Sequence, residues 1–248
     1  MNPSSDKRPI VTPVKTGKTP KLGPVAIMAA TRPDYQLLQT QLGFDQDNVR
    51  PIFISKLAVN SRKINGLSLC GPFIGAPYGA MILETLIAWG ARQIIFVGWC
   101  GAVAKQIRIG NIVLPSGAWV DEGTSRHYGQ TQAEIVTPSE HLLQQTRNIL
   151  VQSGHPYQEG LIWTTDGAFR ETPEKVRTYQ DKGVLAVEME LSALYSVGKF
   201  HGVAVAGLLV VSDEVAMLTW KPGFKSKTFK AGRQAAANAV QQLAATIT

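Results

Sequence analysis

From Pro24 onward the chain alternates short apolar runs with amphipathic stretches. Seven runs stand out: "PVAIMAA", "GLSLCGPF", "RQIIFVGW", "GNIVLPSGAWV", "GLIWTT", "GVLAVEM" and "GVAVAGLLVVSDE". Continuous apolar runs of this length, bounded by glycine or polar residues, predict strands buried on both faces. Between them lie helical patterns. In Gly75 to Gly90, Pro77 suits a first turn, Ile82, Leu86 and Trp89 recur on one face, and Gly90 stops the helix. Further helices are predicted over Glu140 to Val151, Leu191 to Phe200 and Ala231 to Ile247, the last with Ala236, Val240, Leu243 and Ile247 at helical spacing. Strands alternating with helices predict an α/β protein, a three-layer α/β/α sandwich with its sheet covered on both faces. No internal repeat or later linker interrupts the pattern, so residues 23–248 read as one domain. Before them, Pro3, Pro9, Pro13 and Pro20 fall among Ser, Thr and Lys, which predicts a flexible basic arm over residues 1–22.

Composition narrows the function classes. Of 248 residues, 44% are hydrophobic and 17% charged, enough apolar material for a real core. The net charge of +7 is concentrated in two clusters: Lys7, Arg8, Lys15, Lys18 and Lys21, and then Lys221, Lys225, Lys227 and Lys230. No recognition helix or set of stacking aromatics accompanies them, so nucleic acid is not the expected partner, and a pocket for a small anion is the better use of the excess. "GKT" at Gly17 to Thr19 lacks the upstream glycine and the preceding strand of a phosphate loop. Cys70 and Cys100 give neither a disulfide framework nor metal-ligand spacing, and both sit in apolar contexts as small hydrophobes. The first twenty residues lack the apolar core of a signal peptide, and no run is long enough to cross a bilayer. The expectation is a soluble, cytoplasmic protein with no membrane, metal or cofactor requirement.

In α/β folds ligands gather where strands end. Three ends are polar here: Ser212-Asp213-Glu214, Glu188-Met189-Glu190 and Gly98-Trp99-Cys100-Gly101. A fourth patch, "DEGTSRHYG" from Asp121 to Gly129, follows a strand and contains His127, one of four histidines. Each has a bland reading. A Ser-Asp pair caps helices, an acid suits a first helical turn, glycines permit turns, and such a loop is commonly solvated. Their joint occurrence at strand ends carries the weight. The chain has no G-x-S-x-G, H-E-x-x-H or early G-x-G-x-x-G motif, which sets aside several other catalytic classes. Glu188 and Glu190 are two residues apart, so in an extended segment both would share one face and converge on one site.

"AVEMELSAL", followed by "LLVVSDE" and preceded by "FVGWCGAVAKQIRIGNIVLP", resembles the nucleoside phosphorylase and nucleosidase superfamily over roughly residues 23 to 247. That resemblance implies a mixed, partly barrel-like central sheet and cleavage of a nucleoside N-glycosidic bond. Phosphate or water would be the nucleophile, with no cofactor, and the protein would self-associate as a dimer or hexamer. It implies that Glu190 grips the ribose 2′- and 3′-hydroxyls, that Met189 packs under the sugar, and that Glu188 supports the same pocket. Asp213 would protonate the leaving purine with Ser212 beside it. Phe169 would stack on the base, and His127 would serve the 5′-hydroxyl. A carboxylate that accepts two hydroxyls fixes the sugar and stabilises the positive charge that builds on its ring.

The nucleophile end departs from the family pattern. The first loop reads "AATRPDY" (Ala29 to Tyr35) rather than G-D-P-x-R, and Phe96 and Trp99 stand where phosphate ligands belong. Trp99 would then fill space meant for an anion. Arg32 falls where nucleosidases carry the glutamate that activates water. An arginine cannot act as that base but can bind phosphate in a bidentate manner. Arg32, Gly98 and Arg62 or Arg50 are the phosphate-binding candidates. Asp213 points to a purine, whereas "DEGTSRHY" resembles the uridine phosphorylase branch, where Arg170 is the nearest base-reading candidate. The first reading is a nucleoside phosphorylase acting on a purine nucleoside or uridine. The alternatives are a nucleoside hydrolase and a non-catalytic nucleoside-binding relative.

Overall fold

The computed structural model describes residues 9–59, 66–130 and 134–247. Arg62 lies outside the described residues. In chain order the strands are β1 (Val25–Ala29), β2 (Val49–Ile52), β3 (Ser55–Val59), β4 (Ser68–Gly71), β5 (Gln93–Ala102), β6 (Ile112–Asp121), β7 (Ile135–Val136), β8 (Tyr157–Thr165), β9 (Ala186–Glu188), β10 (Ala204–Glu214) and β11 (Lys221–Pro222). The helices are α1 (Arg32–Gln41), α2 (Ala76–Trp89), α3 (Glu140–Gln152), α4 (Pro173–Asp181), α5 (Leu191–His201) and α6 (Lys227–Ile247).

All seven expected strands and four expected helices form. The sequence reading missed the β2–β3 hairpin, whose turn holds Phe53 at positive φ, and the two-residue strands β7 and β11. It also missed α1 and α4, although both carry start signals. Thr31 and Thr172 cap them, each accepting a backbone N–H three residues on, and Pro33 and Pro173 occupy the first turns. Both helices are short and polar, with few buried positions, so their apolar stripe is faint.

The 11 strands form one mixed sheet. β5 pairs with β10, β10 with β6, β6 with β8, β8 with β9, and β9 returns to β5, so five strands close into a barrel. From β5 the sheet continues outward through β1, β4, β3 and β2. Helices cover both faces. One buried cluster joins the sheet to α2 and α5 through Ile82, Leu86, Phe96, Leu191 and Leu194. The other joins it to α1, α3 and α6 through Leu38, Val97, Leu142, Val240 and Leu243. Successive residues of β5 feed opposite clusters, as strand geometry requires. Cys70 and Cys100 are free and buried. Among the described residues no helix is long and apolar enough to cross a membrane. Of the basic arm, Leu22 is buried and the Val14 carbonyl accepts the indole N–H of Trp89 at 3.1 Å, while Lys15, Lys18 and Lys21 are exposed.

Candidate active site

One edge of β5 changes partner partway along. Gln93–Val97 pair with β1, and Gly101 and Ala102 pair with β9, while the opposite edge runs beside β10 throughout. Gly98, Trp99 and Cys100 are therefore unpaired on that edge. A gap of this kind is where α/β sheets hold ligands. Gly101 sits at the crowded point. A Cβ there would lie 3.2 Å from both the Asp213 carboxylate on β10 and the Val187 side chain on β9. Two of the three polar strand ends thus meet across one glycine.

Glu188 and Glu190 are both buried, but they do not share a face. β9 ends at Glu188, and Glu190 has turned to φ −134°, ψ −40° as the residue capping α5. The strand alternation ends at Glu188, yet the two carboxyls remain close enough for the charge of Glu190 to act on Glu188. Glu188 turns toward the start of α5, where its Oε2 accepts the N–H groups of Glu190 at 2.7 Å and Leu191 at 2.8 Å. Its Oε1 accepts the Thr164 hydroxyl, which in turn accepts the N–H of Ser192 at 3.0 Å. Three protein donors hold the carboxyl, which satisfies free N–H groups at the start of the helix.

Glu190 reaches a different helix. Its Oε1 accepts the N–H of Gly75 at 2.6 Å, at the start of α2. Gly75 has φ +86°, a conformation costly for any other residue, and this presents its N–H to the acid. Among the described residues the hydrogen-bond partners of Glu190 are backbone N–H groups, of Gly75 and Met189, and none is a cation. Burial raises both carboxyls well above the ordinary range, with the charge of Glu190 as a further cause at Glu188. The helix N-termini oppose that shift without cancelling it. Met189, between them, is half-buried.

At the end of β10, Asp213 is held through both oxygens. Ser212 donates to Oδ1 at 2.6 Å, and the indole of Trp220 donates to Oδ2 at 2.9 Å. A register shift between Val211 and Asp213 marks an irregularity in the pairing of β10 with β5. Glu171, which the sequence reading passed over, lies close enough to feel this carboxylate. Burial first, and the charge of Asp213 second, push its carboxyl up to about 7. Position in sequence gave no signal for it, because Glu171 follows an exposed 3₁₀ turn, Ala168–Arg170.

The first loop holds a second unforeseen acid. Asp34, in the first turn of α1, is buried and accepts hydrogen bonds from Thr31 at 2.8 Å, Trp99 at 2.5 Å and Arg233 of α6 at 2.5 Å. Arg233 also lies over the Trp99 ring, 5.6 Å from its centroid. Trp99 packs edge-on against Phe229 at 4.9 Å, so its indole tethers α1 and α6 to β5. Phe96 is fully buried with its ring 5.9 Å from that of Phe73. Arg32 and Arg50 are exposed, and Gly98 is buried beside the Phe96 ring.

The remaining candidates lie further out. Phe169 and Arg170 are fully exposed on their 3₁₀ turn, and Arg170 lines a surface groove with Thr172, Lys175 and Tyr179. His127 is exposed on the turn Ser125–Tyr128. The acids of "DEGTSRHYG" are braces. Glu122 accepts the N–H groups of Thr124 and Ser125 and the Ser192 hydroxyl, and Asp121 takes Lys175 at 2.7 Å and Trp163 at 2.9 Å. Among the described residues no cluster of His, Cys, Asp and Glu has a metal-binding arrangement.

Residues 24–248 match the model of the phosphorylase superfamily, which covers purine nucleoside and uridine phosphorylase-type proteins. The chain belongs to that superfamily. Within it, the chain is 30% identical over 150 residues to the DeoD-type purine nucleoside phosphorylase of Clostridium novyi, covering 60% of this chain and 64% of that one. The match therefore spans just under two thirds of the relative's length. Uridine phosphorylase from Vibrio fischeri superposes with a TM-score of 0.78 at 24% identity, over 91% of this chain and 93% of that one. The 5′-methylthioadenosine/S-adenosyl homocysteine nucleosidase of Helicobacter pylori superposes with a TM-score of 0.74 at 17% identity, over 90% and 97%. At these identities the superpositions speak to the fold, and the superposed structures include both a phosphorylase and a nucleosidase.

Proposed function

We propose that this protein cleaves the N-glycosidic bond of a purine nucleoside, with water as the nucleophile. The observation that carries the cleavage reading is the meeting of β9 and β10 across Gly101. It sets Asp213 and the Glu188–Glu190 segment around one strand end. In this reading Glu190 accepts the two ribose hydroxyls on its remaining lone pairs, and its negative charge stabilises the cationic sugar ring. Met189 packs under the sugar, and Glu188 supports the loop by capping α5. Asp213 gives a proton to the departing purine, a role worth on the order of 10²–10⁴-fold.

Water is favoured by the first loop. A phosphate dianion needs unpaired cations. Yet Arg233, the half-buried arginine at this end, is already paired with Asp34, and the Asp34 carboxylate would repel the anion. Phe96 is sealed in the core and offers an anion no donor, and the indole N–H of Trp99 is already taken by Asp34. Phosphorolysis is the second reading. It is favoured by the curated relatives and by the exposed Arg32, a cation in the first loop.

The test is release of base from inosine, guanosine, adenosine and uridine, with and without phosphate. Equal release of purine in both conditions, with free ribose as the sugar product, is expected. Strict dependence on phosphate, with ribose 1-phosphate as product, would establish the second reading. No release from any nucleoside would leave a binding protein. Asp213→Asn is expected to lower kcat on purine nucleosides at least 100-fold, at the low end of general-acid effects.

A further inference from the structure

Trp220 is 64% exposed, an unusual setting for a side chain generally used for the area it buries. Its ring has one aromatic neighbour, Phe224, at 6.3 Å. Its polar handle is engaged, however, with the indole N–H on Oδ2 of Asp213 at 2.9 Å. The backbone delivers it there. β11 folds back on β10 with Asp213 opposite Pro222 and Glu214 opposite Lys221, so Trp220 returns beside the strand end. The turn between them is anchored at several points. Val215 N–H donates to the Ala102 carbonyl, Leu218 N–H to Val215, Gly223 N–H to Ser212, and the Gln180 side chain to the Ala216 carbonyl.

We infer that Trp220 is a positioning residue for protonation of the leaving base, an inference that rests on the reading of Asp213 as the acid. Rotation of a carboxyl about its last side-chain bond is soft and roughly two-fold. A single donor leaves much of that freedom. Ser212 on Oδ1 and Trp220 on Oδ2 together fix the plane, so that an oxygen edge faces the gap beside Gly101. Proton transfer tolerates little misplacement, and an error near 1 Å costs on the order of 10²-fold. Trp220 touches no reacting atom in this scheme. It acts through Asp213.

The experiment compares guanosine with 7-methylguanosine, whose base already carries a positive charge and departs without being protonated. Wild type, Trp220→Phe and Asp213→Asn are assayed on both, with thermal midpoints as a fold control. Trp220→Phe keeps an aromatic ring and removes only the donor. It is expected to lower kcat on guanosine about 10-fold, the loss of one charge-assisted hydrogen bond. KM should stay within about 2-fold, and 7-methylguanosine turnover should be unchanged. Equal loss on both substrates would mean a merely structural role, and no loss on guanosine would mean none; either overturns the inference. If Asp213→Asn loses guanosine selectively and Trp220→Phe does not, only the role of Trp220 falls. If wild type cleaves neither nucleoside, or Asp213→Asn cleaves guanosine normally, the reading of the site falls and this inference falls with it.

Discussion

Two buried acids, Glu190 and Asp34, stand at the starts of two helices and are treated in opposite ways. Asp34 belongs to α1 and is closed off by protein, with Arg233 as counter-ion and Thr31 and Trp99 as further donors. Glu190 faces the start of α2, held by backbone N–H groups and, among the described residues, by no counter-ion. Burial drives its carboxyl well above the ordinary range. A buried ion pair costs desolvation energy but stays charged, and losing one partner is severe. A buried acid without a cation is expensive to ionise, and it is a group that a hydroxylated ligand can satisfy. One acid holds helices together, and the other is the one proposed to hold the sugar.

Mutation sharpens that contrast. Asp34→Ala is expected to destabilise the protein by about 3–5 kcal/mol in chemical denaturation, because it strands the Arg233 guanidinium. Adding Arg233→Met should recover much of the loss. A single variant as stable as wild type would mean that the pair contributes little. Glu190→Gln should do the reverse. It removes a buried ionisable group, so stability holds or rises, while kcat/KM falls about 100-fold through loss of charge-assisted bonds to the sugar. Full activity in that variant would refute its ribose role. Thr164→Val deprives Glu188 of a donor and Ser192 N–H of an acceptor, and should cost about 1–3 kcal/mol with a smaller effect on kcat.

The smallest effect is on pH. Glu188 and Glu190 are raised by burial, and Glu171 is raised to about 7 by burial and by Asp213. Between the ordinary carboxylate range and these raised values the folded protein holds protons that the unfolded chain has released. Stability therefore declines as pH rises through the neutral range. If ionised Glu190 is the ribose acceptor, kcat/KM should rise over the same interval, by up to about tenfold per unit, and then level off. Stability and activity moving in the same direction with pH would break the assignment.

Some of this site was legible in the sequence. Glu188 and Glu190 stood out because an acid set into an apolar run needs a reason, and the superfamily resemblance implied which was support and which ribose anchor. Asp213 stood out because it stands at the polar end of a long apolar strand, and the superfamily resemblance gave it a role. Asp34 and Glu171 did not stand out. Each lies in a polar segment where an acid is ordinary, and only packing shows that one is closed in by α6 and the other lies beside Asp213. Trp99 was legible as an oddity but not in its role. The expectation that it would fill an anion's space gives way to a tether, with its indole on Asp34 and its ring on Phe229.

By itself the sequence determined the α/β class, seven strands, four helices and the polar strand ends, because apolar periodicity and turn residues act locally along the chain. Only the tertiary structure decided that five strands close into a barrel, that β5 changes partner beside Gly98, and that Glu188 and Glu190 turn to different helices. Those outcomes depend on which strand edges meet and where a strand stops, and pairing between residues more than a hundred positions apart leaves no local mark. Asp34 and Arg233 are separated by 199 residues, and their 2.5 Å contact exists because α1 and α6 pack on the same face of the sheet.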